Sequence, residues 1–153
     1  MHKQLAFPEA VARTPLFDRL DGPDGPAPVR MLDRHGLEHS VARELLRMLN
    51  RRAAPRLGAA LSVPDYGLPD WSALSPANPD DRLRLARDVV RAVRAFEPRL
   101  RAPSAQVELS ALGQQALAVR LAGRLGTSAQ SWPVQFDLAF GPFGVSLAGP
   151  GER

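Results

Sequence analysis

The spacing of hydrophobic residues changes once along this chain, between Phe96 and Pro103. Before that point apolar positions recur every three or four residues. In "EHSVARELLRMLNRR", from Glu38 to Arg52, Val41, Leu45, Met48 and Leu49 share one face, while Arg43, Glu44, Arg47 and Arg51 lie mostly on the other. That spacing predicts an amphipathic helix, with Ser40 a candidate cap. In "DDRLRLARDVVRAVRAF", Leu85, Val89, Val93 and Phe96 form a second stripe opposite Arg84, Arg87, Arg91 and Arg94. Asn78 or Asp80 caps this helix and Pro79 suits its first turn. Pro98 ends it by forcing Glu97 to be extended.

After Pro103 the period becomes two. Val107, Leu109 and Ala111 alternate, then Leu117, Val119 and Leu121, then Val134, Phe136, Leu138 and Phe140. Gly113-Gln114-Gln115 reads as a hairpin turn, and "GPFG" from Gly141 to Gly144 turns the chain into a last strand, Val145 to Leu147. Helices followed by a meander predict an α+β fold: two main helices packed on one face of a mainly antiparallel sheet of about four strands.

Prolines divide what precedes. Pro8, Pro15, Pro23, Pro26 and Pro28, with "DGPDGPAP", predict a flexible leader over residues 1–28. Within it "PLFDRL" offers Leu16, Phe17 and Leu20 as a short docking segment. Residues 29–150 then form a single α+β domain. The irregular stretch between the helices carries Val63, Tyr66, Leu68 and Trp71, which predicts a loop pinned to the core by large side chains.

The chain has 153 residues, one domain's worth, of which 44% are hydrophobic and only 6% aromatic, so aliphatic side chains must build the core. It has no cysteine, which excludes disulfides, thiolate metal sites and cysteine nucleophiles, and nothing points to an oxidising compartment. No apolar run is long enough to span a bilayer, and the N-terminus lacks the apolar core of a signal peptide. A cytoplasmic location follows as the default. The net charge is +4, with Lys3 the only lysine. The four arginines of the second helix read first as a solvated face, then as a protein contact, and last as a phosphate-tracking surface.

Catalytic constellations are sparse. "HGLEH" places His35, Glu38 and His39 in the order of inverted zinc peptidases, yet Gly36 weakens a helix there and so short a string arises readily by chance. A glycosidase needs two carboxylates across a cleft. The candidates are Glu9, Glu38, Glu44, Glu97, Glu108 and Glu152, and Glu97, set among Arg94, Arg99 and Arg101, is better suited to ion pairing than to acid catalysis. There is no phosphate-cradling glycine loop and no nucleophile elbow.

Four short segments in order carry a resemblance: Ser40, Val41 and Arg43; Leu49, Asn50 and Arg52; Tyr66, Gly67, Leu68, Pro69 and Asp70; and Glu97, Pro98 and Arg99. From about residue 38 to 148 the chain resembles the lysozyme-like family of baseplate wedge proteins of contractile phage tails and type VI secretion systems. "PLFDRL" is similar to the N-terminal segment of the secretion-system (TssE) branch. Arg51 departs from the threonine common in the family. The resemblance implies a non-enzymatic baseplate subunit in the bacterial cytoplasm, without cofactor or metal. It would join the TssF and TssG wedge subunits, among other baseplate proteins such as TssK, to the first ring of the TssB/TssC sheath. It also implies partner-binding roles for Glu97, Pro98, Arg99, Arg52 and Tyr66, with sheath strands added to this protein's sheet. A peptidoglycan hydrolase, a wedge protein of another contractile particle and a basic nucleic-acid-binding module are the competing readings.

Overall fold

The computed structural model describes residues 12–13, 19–20, 31–53, 65–110, 116–127 and 130–148. Two helices, α1 (Arg34–Leu49) and α2 (Pro79–Phe96), precede a meander of β3 (Arg101–Leu109), β4 (Leu117–Gly126), β5 (Ser131–Gly141) and β6 (Gly144–Leu147). The four strands are antiparallel in the order β3-β4-β5-β6, and a separate small ladder pairs β1 (Ala12–Arg13) with β2 (Met31–Leu32). The fold is α+β, with a helical layer on one face of the sheet.

The first helix begins earlier than its apolar stripe suggests. Asp33, not Ser40, is the cap, its Oδ1 accepting the Gly36 N–H at 2.8 Å. "HGLEH" therefore lies inside the first turns of α1, where one glycine is tolerated because Leu37, Val41 and Leu45 are buried beneath it. At the other end Asn50 closes α1, so Arg51 and Arg52 lie beyond the helix. Asn78 caps α2, accepting from the Asp80 N–H at 2.9 Å, and Pro79 occupies the first turn.

The core lies between the layers. Leu45, Met48 and Leu49 of α1 and Leu85, Val89 and Val93 of α2 meet Val119, Leu121, Leu125, Leu138 and Phe140 of the sheet. Trp71 pins the inter-helix connection by setting its ring edge-on to Phe140 at 5.2 Å between centroids. Leu100 is buried over Gly123, where a Cβ would come within 2.7 Å of the leucine.

Strand β3 starts at Arg101, before the expected change of period, through an irregular stretch. The register shifts between Arg101 and Ser104, and Ala102 takes a positive φ of 47°. Pro103 fits there because β3 is an edge strand. For the same reason its apolar positions are only partly covered, and Leu109 is 54% exposed. The expected turn at Gly113-Gln114-Gln115 and its neighbour Ala111 lie outside the described residues, as do Leu16, Phe17 and Val63. In the segment expected as a leader, Ala12–Arg13 forms the rung with β2, and Arg19 and Leu20 are helical. No helix among the described residues is long and apolar enough to cross a membrane.

Candidate partner-binding site

Glu97 is the residue at which α2 ends. Its N–H still closes the last helical bond to the Val93 carbonyl at 2.8 Å, but Pro98 follows and the helix cannot continue. The chain doubles back so that Arg99 meets the carboxylate two residues behind it. Arg99 Nε donates to Oε1 at 2.7 Å and Nη2 to Oε2 at 2.6 Å, a bidentate pair, and the Arg99 main-chain N–H adds a bond to Oε1 at 3.2 Å. The remaining Nη1 donates to Ser40 Oγ on α1 at 2.8 Å. Glu97 is only 1% exposed, whereas the Arg99 side chain keeps 27% of its surface open and Pro98 is exposed.

One cluster thus joins the end of α2, the start of β3 and the middle of α1. Both carboxylate oxygens of Glu97 are engaged, which suits ion pairing and leaves no oxygen poised toward a substrate.

Tyr66 sits beside this cluster. Its ring lies edge-on to Phe96, the residue before Glu97, at 5.4 Å. Its hydroxyl donates to Glu44 Oε1 at 2.7 Å, and Arg47 Nη1 holds Oε2 of the same carboxylate at 3.0 Å. Burial, then the bond to Glu44, pushes Tyr66 ionisation well above its ordinary value, outweighing the opposing pull of Arg47 and Arg51.

Arg52 stands apart from the other four expected residues, past the C-terminal end of α1. It forms a parallel bridge with Leu68, and Nη2 lies 3.4 Å from Asp70 Oδ1 in an exposed pair. Hydrogen bonds from Ser72 hold Asp70 below the usual carboxylate range, with Arg52 a smaller contributor. Gly67 has φ +121° and its Cα faces the Arg51 carbonyl so closely that a side chain would collide, which accounts for the glycine in "YGLPD".

Residues outside the expected set complete the scaffold. Ser40 serves Arg99 instead of capping a helix, a pairing across 59 positions that no spacing in the sequence signals. Asn50 Oδ1 accepts the Val145 N–H at 2.9 Å and Nδ2 donates to the Val145 carbonyl at 2.8 Å, a contact no periodicity reveals. Glu38 Oε1 accepts from Trp132 Nε1 at 2.7 Å and from Arg34 Nε at 3.2 Å, so the carboxylate of "HGLEH" is tied to β5. His35 and His39 are exposed, and among the described residues no group of three or more His, Asp or Glu side chains is placed to hold a metal.

The sequence matches the family model for baseplate wedge protein gp25 over residues 35–130, from the first turn of α1 to the start of β5. The chain belongs to the baseplate wedge protein gp25 family. The match spans every element that builds the Glu97 cluster. Among solved structures, a chain of "The baseplate complex from the type VI secretion system" is similar in fold, with a TM-score of 0.50 and 19% identity, covering 67% of this chain and 94% of that one. No curated protein matches the chain. Within the gp25 family frame, the Glu97 cluster occupies the corner where the helical layer hands over to the sheet.

Proposed function

We propose that this protein is a structural subunit of a type VI secretion baseplate, joining the wedge to the contractile sheath and helping to start sheath assembly. Membership of the baseplate wedge family carries the reading, and the fold likeness to a chain of a type VI secretion baseplate complex favours this system over a phage tail. Its partners are then TssF- and TssG-type wedge subunits, TssK-type baseplate proteins and the TssB/TssC sheath, at the cytoplasmic side of the inner membrane. The protein acts by assembly and not by catalysis, in keeping with the fully engaged Glu97 carboxylate.

A sheet edge that pairs with no further strand among the described residues supports the mode of attachment. The Ser110 N–H bonds the Ala116 carbonyl at 3.0 Å, so alternation along the β3–β4 ladder turns the main-chain groups of Ala105, Val107 and Leu109 away from β4. A sheath strand adds to that edge. Glu97, Pro98 and Arg99 hold the start of β3 in place beneath the joint, Tyr66 steadies Phe96, and Arg52 makes an exposed contact with a wedge neighbour.

The test is a strain lacking this gene, complemented by the wild-type chain or by Val107→Pro, scored for co-purification with TssF- and TssG-type subunits and for sheath formation. Sheaths that form normally without the gene would sink the proposal.

A further inference from the structure

The solvent side of α2 is not uniformly polar. Leu83, Ala86 and Val90 follow one another at intervals of three and four residues, and Leu83 is 60% exposed. They floor an open groove of about 840 Å³, closed on its far side by Ala105 of β3. Arg87, Arg91 and Arg94 rim it. Arg91 has Asp88 at 2.9 Å, and Arg87 Nε reaches only the Leu83 carbonyl at 3.3 Å. Among the described residues neither Arg87 nor Arg94 has a carboxylate partner.

We propose that this groove docks an acidic amphipathic helix of a partner protein. The floor has helical spacing along its length and runs about 18 Å from Leu83 to Ala95 at 1.5 Å per residue. Small side chains at Ala86 and Ala105 allow a helix to come close, and Leu83 and Val90 offer the apolar contacts a helix face seeks. The rim bears positive charge in excess of its local carboxylates, so acidic residues flanking the apolar stripe of the incoming helix complete the ion pairs. This surface adjoins the outward edge of β3 and shares Ala105 with it, but its floor and rim belong to α2, and the proposal does not depend on sheath attachment.

The experiment uses the full chain and a fluorescent designed peptide of about four helical turns, with leucines on one face and glutamates flanking them. A counterpart carries lysine for glutamate, and a third peptide is glutamate only. The Glu/Leu peptide is expected to bind and to shift amide resonances along α2. Arg87→Glu with Arg94→Glu should weaken it about tenfold while gaining affinity for the Lys/Leu counterpart, a rescue that a misfolded variant cannot give. Leu83→Ser should weaken binding without changing its salt dependence.

Absence of binding, equal binding of the glutamate-only peptide, or indifference to the charge reversal would overturn the proposal. So would shifts confined to Ala105, Val107 and Leu109, which mean an added strand, or self-association of the chain through this face. A negative result leaves the baseplate reading intact, since that rests on assembly in cells.

Discussion

Asn50 holds both main-chain groups of Val145 with its one side-chain amide, at 2.8 and 2.9 Å, and so ties the end of α1 to the outer edge of β6. The same side chain also donates to the Leu46 carbonyl at 2.9 Å, which fixes its direction. One edge of the sheet is thereby occupied at this residue, and the other, along β3, pairs with no further strand among the described residues.

Asn50→Ala should destabilise the fold by about 1–3 kcal/mol, because it leaves the Val145 N–H and carbonyl without partners in a part-buried setting. Gly144 has φ +118° and Asn50 Oδ1 lies where its Cβ would be, so Gly144→Ala should also cost stability. Denaturant unfolding of the double variant should show less than the sum of the two losses, because the collision disappears with the amide.

Arg99→Ala strands the buried Glu97 carboxylate and should cost about 3–5 kcal/mol, whereas replacing the pair together, Glu97→Leu with Arg99→Met, should cost less than that. Arg99→Lys should fall between, since an ammonium cannot make the bidentate pair and reach Ser40 as well. Urea midpoints of the four proteins check the order. If Arg99→Ala melts like wild type, the carboxylate is not the anchor described above.

Tyr66 is the only tyrosine, so near-ultraviolet absorbance reads its ionisation directly. Its folded-state value is raised, so the neutral phenol contributes stability that is fully present below the ordinary value of 10.0 and is lost as the pH rises beyond it. Titration should show no phenolate at pH 10.0, then ionisation together with loss of the near-ultraviolet circular dichroism signal. Tyr66→Phe should remove this alkaline sensitivity and cost about 0.5–1.5 kcal/mol for the lost bond to Glu44.

Proline scanning of β3 separates edge from ladder. Val107→Pro deletes an N–H that points away from β4 and should cost the fold clearly less than Gln106→Pro, which breaks a ladder bond. Thermal unfolding distinguishes them. In the complemented strain, Val107→Pro should retain wedge partners and lose sheath formation.

The periodic part of the sequence was enough to place the two main helices and the four strands of the meander, but not the short ladder of Ala12–Arg13 with Met31–Leu32. Leu85, Val89 and Val93 recur at helical spacing, and Val119, Leu121, Phe136 and Leu138 alternate, because burying one face is the same requirement in any fold with these layers. The switch at Pro98 was equally legible, since proline restricts its predecessor wherever it stands. Boundaries were less so: the cap at Asp33 precedes Val41, where the expected apolar stripe begins, by about two turns, and capping is a local bond that periodicity does not report.

What only the tertiary structure decided is the partner of each polar group. Glu97 and Arg99 are two residues apart, and their spacing alone is equally compatible with two solvated charges. It is the arrival of Ser40, 59 positions away, that turns them into a buried brace. Asn50 and Val145 are 95 positions apart, and Glu38 and Trp132 are 94 apart. Apolar burial is non-directional and leaves a pattern in the chain, whereas a hydrogen bond needs one donor and one acceptor at about 2.9 Å, and only the packed layers bring them there.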